Sequence, residues 1–460
     1  MDITRPHATT AHLRAEDFLP AMPLDREGLS AGDSAGYWLQ VWQRLAINRR
    51  AMLALAIIVL LLLFTLLGPT IWRVDANMQS PGLASEGPML AQTVPVIIPD
   101  QWQPAPPMDL KAIDVVAAST ERVRLQWAPV PSATQYRVYR NEHQPTNAFD
   151  LGVPLAGVAV SRFGYEDGLA LKPRPYYYSV LAVMPDGGER SLGTVEVTPR
   201  RAIGFLQAQL QGLVPDNARA HEYADATVTL PAHPLGTDAL GRDMLARLMV
   251  GAQTSLFIGI VAPLLAIGFG ILFGAVSGYV GGWVDSVMMR FAEFVIALPF
   301  LLFMILLKVV FGIGPGESGI VPMLVAMVIL SWPSSARLVR GQVLQLREQP
   351  YVEAARLFGG GSAYLIIRHM LPNVLGVVLV ALSFAIPSAI FTEAFLSFIG
   401  LGVVPPTPSW GSLSNDGMKT LRSYPMGLLW PSLFISITVL SFNLFGDALR
   451  DALDTRLERR

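Results

Sequence analysis

The sequence predicts an all-α polytopic membrane protein of six transmembrane helices, interrupted by an inserted β-sandwich. Apolar residues make up 52% of the chain and charged residues only 15%, whereas soluble domains are about a quarter charged. Six apolar runs are long enough to cross a bilayer, which takes about 20 residues. Between the first and second run, short segments alternate between apolar and polar residues, as half-buried β-strands do.

The apolar runs are spaced unevenly along the chain. The first ends at Trp72 and the second begins only near Ser255, after which the others follow at short intervals. We therefore expect one isolated span followed by a five-helix core over 255–446. The predicted spans are 51–72, 255–279, 291–312, 319–340, 374–399 and 427–446.

Positive charges indicate the orientation of these spans. Arg44, Arg49 and Arg50 precede the first run, and further arginines follow the fourth and the sixth. Cytoplasmic loops carry an excess of Lys and Arg. We therefore expect both termini in the cytoplasm: residues 1–50 as a polar tail and an amphipathic surface helix, and residues 447–460 as a C-terminal tail.

The same topology places residues 73–254 outside the cytoplasm. Pro and polar residues in 73–105 predict a linker, and 200–254 predict a second linker with an outer-surface segment. Between them, 106–199 contain several short alternating strands bounded by Pro, Gly and Asp, which is typical of a β-sandwich. Examples of these strands are 123–127, 135–140 and 176–180.

The segment 341–373, between the fourth and fifth runs, predicts a helical hairpin exposed in the cytoplasm. Pro350 suits the first turn of a helix, and Gly359 suits its end. Ser362 can cap a second short helix, which Pro372 would terminate.

This hairpin resembles the EAA loop of ABC-importer permeases, in which Glu-Ala-Ala is followed at fixed spacing by Gly and by Ile-x-Leu-Pro. His369 stands at the Ile position, which resembles the peptide-importer branch. The resemblance implies that the loop sits in a cleft of an ATPase subunit and transmits its closure to the spans. The residues it assigns to ATPase coupling are Glu353, Ala354, Ala355, Arg356, Gly359, Leu371 and Pro372.

Three further stretches are similar to the second permease type of the dipeptide/oligopeptide/nickel family. They are 233–238 with 241–243, 397–402 with 405–411, and 442–451. The resemblance implies a type I ABC-importer permease fold in the bacterial cytoplasmic (inner) membrane, working by alternating access. It also implies four partners besides the lipid bilayer: a second permease chain, two P-loop ATPase subunits and an extracytoplasmic substrate-binding protein.

Composition excludes several other functions. The chain has no cysteine, which excludes disulfides and thiolate metal sites, and its net charge of −1 with no basic tract gives no reason to expect a nucleic-acid partner. The sequence contains no P-loop pattern. We therefore expect a transport subunit, not an enzyme, with no cofactor of its own; ATP and Mg²⁺ would be bound by the partner ATPase subunits.

The inserted segment resembles a fibronectin type III domain. The resemblance depends on Trp127, the strand 136–139, the segment 165–167 and the tyrosines 176–178. Domains of this kind are usually spacing or adhesion modules, and the fold alone does not give a function.

Glu393 lies inside the apolar fifth run. A carboxyl group in a membrane helix is costly and is often functional, so Glu393 either lines the translocation path or forms an interhelical hydrogen bond; the sequence leaves both open. His233 and Asp238 have no further metal ligand at suitable spacing, which favours a turn at the outer surface and no metal.

Peptides are the favoured cargo, and nickel complexes and glutathione-type substrates stay open. A proton-coupled secondary transporter would require several intramembrane carboxylates or an inverted repeat. A membrane-anchored adhesion protein would need only one or two spans. Both rivals therefore fit the sequence less well than an ATP-driven importer.

Overall fold

The computed structural model describes residues 34–104, 113–159, 162–224, 226–312, 318–422 and 424–453. Most of the predicted cytoplasmic tails lies outside these residues. The helices are α1 (Ser34–Ile47), α2 (Arg49–Ile71), α3 (Phe205–Leu210), α4 (Met244–Val280), α5 (Gly282–Ile296), α6 (Phe300–Val310), α7 (Ile320–Arg347), α8 (Pro350–Leu357), α9 (Ser362–Tyr364), α10 (Leu371–Phe398), α11 (Trp410–Lys419) and α12 (Met426–Leu453).

Five helical stretches in the described part of the chain are long and apolar enough to cross a membrane. They are α2, α4, α7, the continuous run Ser362–Phe398 and α12, and the bent pair of α5 and α6 makes a sixth if it is counted as one span. α4 begins earlier than the predicted span because Asp243 caps it, accepting a hydrogen bond from the Ala246 amide at 2.6 Å.

The predicted third span, 291–312, is wrong as a single helix. α5 ends at Ile296, α6 begins at Phe300, and the two are bent by 82°. Pro299 explains the break, because it has no N–H to donate and it disfavours helical geometry at Leu298.

The prediction that Pro372 terminates a short helix is also wrong. Ser362–Phe398 forms one helical run, in which α9 passes through a π-helical turn, Leu365–Met370, into α10. Pro372 occupies the first turn of α10, where its missing N–H is tolerated because the wider turn before it alters the hydrogen-bonding pattern.

α4 and α7 pack closely along a row of small residues. Gly270, Gly274 and Gly278 lie on the face of α4 that meets α7. A Cβ atom placed on Gly274 would lie 2.3 Å from the Ala336 carbonyl oxygen, and one on Gly278 would lie 2.9 Å from that of Arg340. Small residues four apart allow two membrane helices to approach this closely, so α4 and α7 form the tightly packed centre of the bundle.

A β-rich region lies between α2 and α4. Its strands are β1 (Gln92–Ile97), β2 (Ile113–Ala118), β3 (Val123–Trp127), β4 (Gln135–Asn141), β5 (Ala156–Ala159), β6 (Gly164–Asp167), β7 (Tyr176–Val183), β8 (Glu189–Val197), β9 (Ile203–Gly204) and β10 (Thr227–Leu230). They form three sheets, ordered β10-β1-β9, β2-β3-β6 and β5-β4-β7-β8. The predicted strands 123–127, 135–140 and 176–180 are found as β3, β4 and β7.

The second and third sheets contribute to one hydrophobic cluster. Trp127 of β3 and Tyr136 of β4 are almost fully buried in it, with ring centroids 5.4 Å apart. Aromatic pairs at this spacing stabilise a core beyond the area that they bury.

The segment 73–105, expected to be a linker, contains strand β1. β1 pairs antiparallel with β10, with Gln92 opposite Leu230, and parallel with β9. The chain therefore enters and leaves the β-rich region side by side. Glu86, Arg201 and Lys172 reinforce this junction, because both cations contact the Glu86 carboxylate.

Candidate functional site

α8, the short helix predicted to contact an ATPase, lies beside the end of α4 that is distant from the β-rich region. Val352 is its one buried residue; it packs into a cluster with Val343 of α7 and Met370 of the π-helical turn. Glu353, Ala354 and Arg356 are exposed. α8 is thus held to the bundle along one edge, and the rest of its surface is open.

The end of α8 presents large apolar side chains to the outside. Leu357 is 83% and Phe358 is 92% exposed. Gly359, with φ of +88°, then reverses the chain in a conformation that favours glycine. Exposed apolar side chains grouped beside a polar helix indicate a contact surface for another protein.

The second half of the predicted motif closes the hairpin. Leu371 is half-buried and packs against the cluster that holds Val352, while Pro372 is exposed. The His369 ring contacts Tyr364 edge-on, with centroids 5.4 Å apart, and its carbonyl accepts from Asn373 at 2.6 Å. The structure thus brings the predicted coupling residues together but divides them. Glu353, Ala354 and Arg356 are exposed, whereas Ala355 is half-buried and Leu371 fixes the hairpin.

A cavity of about 710 Å³ lies within the bundle, beside the break between α5 and α6. Its wall is apolar with five hydroxyl groups, those of Ser331, Ser334, Ser335, Ser388 and Thr392, and none of its lining residues is ionisable. This site was not predicted from the sequence, because serines in apolar runs form no distinctive pattern. The Pro299 break was the one visible signal, since irregular backbone at membrane depth occurs where it lines a cavity or is buried in protein.

Glu393 does not line this cavity. It is fully buried in α10, and its Oε1 atom accepts a hydrogen bond from the Ser397 hydroxyl at 2.8 Å. The hydroxyl group of Ser397 is also the acceptor for the Val403 amide, at 3.0 Å. The structure therefore favours a hydrogen-bonding role for Glu393 over a place on the translocation path. The bond joins two residues of α10, so it is not the interhelical bond that was the alternative.

His233 and Asp238 belong to a polar network at the start of α4. The imidazole Nδ1 of His233 lies 2.6 Å from Asp243, which caps α4 and also accepts from Trp72 at 3.1 Å. Asp238 pairs with Arg242 at 2.7 Å and with the buried Arg247 at 3.1 Å. This network fixes the junction between α2, α4 and the loop before α4. No sequence pattern indicated that these two arginines are partners of Asp238.

Comparison with known proteins places these features in a family. Residues 270–459 match the family described as binding-protein-dependent transport system inner membrane component, and residues 36–90 match the N-terminal TM domain of oligopeptide transport permease C. The β-rich region lies between the two matches.

Curated relatives are similar over about half of the chain. The oligopeptide transport system permease protein OppC of Bacillus subtilis is 46% identical over 49% of this chain and 73% of its own length. The dipeptide transport system permease protein DppC of that organism is 45% identical over 49% of this chain and 70% of its own. The glutathione transport system permease protein GsiD of Pectobacterium atrosepticum is 40% identical over 49% of this chain and 74% of its own. A solved structure of the MetNI methionine ABC transporter in an inward-facing conformation is 18% identical over 46% of this chain and 98% of that chain, with a TM-score of 0.37.

These matches define a class, the multi-pass permeases of the inner membrane. Within that class, the chain belongs to the family of oligopeptide and dipeptide permeases of ABC importers, as the sequence motifs predicted. It is a transport subunit and not an enzyme, and the family supports the predicted type I importer fold with five to six apolar helices.

Proposed function

We propose that this chain moves dipeptides or oligopeptides across the cytoplasmic membrane and that α8 couples it to separate ATPase subunits. The observation that carries the proposal is the exposed surface of α8, which ends in Leu357 and Phe358. The relatives' names support the cargo. ATP and Mg²⁺ belong to the ATPase partners, because no P-loop pattern occurs in the sequence.

The complete importer in this proposal contains a second permease chain, two ATPase subunits and a substrate-binding protein on the outer side. The cavity supports a peptide path, because hydroxyl groups can exchange hydrogen bonds with a peptide main chain whatever its side chains. Its uncharged wall imposes no preference for acidic or basic peptides. Selection among cargoes then rests with the substrate-binding protein.

The β-rich region is proposed to lie outside the cytoplasm, with both termini inside. α4 supports this placement, because the region joins its N-terminal end while α8 contacts its C-terminal end. A helix from Met244 to Val280 is about 55 Å long at 1.5 Å per residue, enough to cross the bilayer. We also propose that 106–199 is a fibronectin type III-like sandwich, supported by the cluster that its two sheets share.

Charge substitution on the surface of α8 tests the coupling. Phe358→Asp is expected to abolish copurification of the ATPase subunits without unfolding the permease, because the side chain is 92% exposed. Leu206→Asp is the matched control: it adds the same charge at an exposed apolar position on α3, at the other end of the molecule. Complexes isolated in mild detergent are identified by mass spectrometry.

A second pair of variants tests the shape of the hairpin. Gly359→Val forces a branched side chain into a left-handed conformation, whereas Gly361, with φ of −69°, accepts alanine without strain. ATPase recovery should fall only for Gly359→Val. Equal recovery of the ATPase subunits with the wild type, Phe358→Asp and Gly359→Val would contradict the docking role of α8. Recovery of the wild-type chain without any ATPase subunit would favour a secondary transporter.

Sidedness is tested with single cysteines, since the chain has none. Val153→Cys, at a position 87% exposed in the β-rich region, should react in intact cells with a maleimide that cannot cross the membrane. Gln345→Cys near the end of α7 should react only after the membrane is permeabilised. The reverse pattern would contradict the proposed orientation.

A further inference from the structure

The proposed docking helix, α8 (Pro350–Leu357), contacts the last turn of α4. The Arg356 guanidinium lies over the Tyr279 ring, 5.8 Å from its centroid. The Tyr279 carbonyl accepts from Arg347 Nη1 at 3.1 Å. Tyr279 therefore meets both the docking helix and the end of α7.

The chain reverses immediately after this contact. Gly281 and Gly282 have φ of +69° and +59°, and α5 begins there. Two consecutive glycines in left-handed geometry separate α4 from α5 and allow the two helices to change their relative angle, as hinge residues do.

One carboxylate holds the first turn of α5 against both central helices. Asp285 forms a bidentate ion pair with Arg340 of α7, at 2.6 Å to Nε and 2.5 Å to Nη2, and also accepts from Ser277 of α4. Only 13% of the Asp285 side chain is exposed. Paired hydrogen bonds of this kind fix orientation as well as distance.

α5 in turn leads to the cavity. Val295, Ile296, Leu298 and Phe300 line the cavity on either side of the break. Farther along α5, Ala292 and Val295 pack against Trp332 and Ala336, and a looser ion pair joins Glu293 to Arg337 at 3.8 Å. The position of the first turn of α5 therefore sets the angle at which this wall meets α7.

We propose that the Asp285–Arg340 ion pair is the connection through which movement of the docking helix reaches the cavity wall. Asp285 and Arg340 act as positioning residues: they lock the α5–α6 arm to the central pair α4 and α7, so that pressure on α8 turns the arm as well. The inference rests on the proposed function, because it presupposes an ATPase that moves α8.

Two variants break this connection while changing size little. Asp285→Asn removes the charge, and Arg340→Lys keeps the charge but loses the planar fork that grips both oxygens. Arg290→Gln is the control, because Arg290 is 85% exposed and pairs with Glu293 on the same helix. The three variants and the wild type are compared as complete importers in vesicles that contain ATP, with the second permease chain and the ATPase subunits present and the substrate-binding protein outside.

For Asp285→Asn and Arg340→Lys we expect normal assembly and ATP hydrolysis with peptide uptake per ATP reduced roughly tenfold, a typical size for coupling between sites. Arg290→Gln should match the wild type. A structural readout accompanies the rates, with spin labels at Val309→Cys on α6 and Gln345→Cys on α7. The distance between the labels should stay constant on nucleotide binding in the wild type, because the arm turns with α7, and should change in both pair variants.

The outcomes are distinguishable. Unchanged uptake and an unchanged label response in both pair variants would overturn the proposal while leaving the proposed function intact. Loss of assembly and ATP hydrolysis in both would assign the pair a purely structural role and overturn it as well. A wild type without ATPase partners or without ATP-dependent uptake would instead refute the proposed function.

Discussion

The close approach of α4 and α7 predicts that a single methyl group at Gly274 destabilises the bundle. In Gly274→Ala, the new Cβ would lie 2.3 Å from the Ala336 carbonyl oxygen. Carbon and oxygen atoms in contact are normally about 3.3–3.6 Å apart. The two helices must therefore separate locally by about 1 Å, and a gap of that size forfeits a quarter to a half of the dispersion energy of the affected contacts.

The expected magnitude follows from this displacement. Overpacking a filled interface costs about 1–3 kcal/mol. Gly268→Ala is a matched control on the same helix, because a Cβ there meets nothing within 4 Å. That change should be neutral or stabilise the helix by up to about 1 kcal/mol, since alanine has the higher helix propensity. The two variants should thus differ by roughly 1–4 kcal/mol.

The assay is thermal unfolding of the purified chain in detergent, followed by the loss of monodisperse protein on gel filtration after heating. Gly274→Ala should show a lower midpoint than the wild type, and Gly268→Ala an equal or higher one. If both variants unfold at the same temperature, the close approach of α4 and α7 does not limit stability, which would refute the predicted cost of a methyl group at Gly274.

Three further predictions concern other parts of the chain. Glu393→Gln should keep peptide uptake within about twofold, because the residue does not line the cavity. Glu393→Ala should lower the free energy of unfolding by about 1–3 kcal/mol, because it removes the buried partner of Ser397. A strong loss of uptake in a stable Glu393→Gln variant would instead indicate that Glu393 lies on the translocation path. Replacing residues 93–229 with an Asn-Gly turn should leave a chain that enters the membrane and binds its ATPase partners, because a two-residue turn can join the paired strand ends. The unfolding temperature of this variant should fall, since Leu83 loses its packing against Phe205. Aggregation in place of membrane insertion would contradict the prediction. The Arg124 guanidinium, with Arg122, lowers the pKa of Asp100 to about 2. This carboxylate therefore stabilises the β-rich region above about pH 4, its ordinary pKa, and the contribution is lost as the pH falls towards 2. Limited proteolysis at decreasing pH should show less acid sensitivity in Asp100→Asn than in the wild type, and identical profiles would contradict the assignment.

Much of the fold follows from local patterns. The strand at 123–127 is found with the predicted bounds, because the alternation of apolar and polar residues and the preference of β-branched residues for strands are both local signals. The span prediction at 291–312 failed because apolar content measures length and not direction. Pro299 was visible in the sequence, but a proline inside an apolar run is also compatible with a kinked continuous helix, as Pro263 in α4 shows.

The candidate site was predictable in part for a similar reason. The helix from Pro350 and the turn at Gly359 are local features, and they lie where the motif placed them. The partner of Asp285 is not local in the same sense, because Arg340 lies 55 residues later in the chain, on α7. A charged residue in an apolar run indicates that a partner exists and does not indicate which one.

The side-by-side ends of the β-rich region also bear on the order of folding. Pairing Gln92 with Leu230 closes a long loop, and the entropy of closure grows with loop length. The membrane helices reduce this cost: Gln253 of α4 donates to the Thr65 carbonyl of α2 at 3.0 Å, and Met249 covers Gly68. Once α2 and α4 have associated, the two strand ends are already neighbours. The sheet that joins them can then form as a late and nearly local event, after the bilayer has aligned its ends.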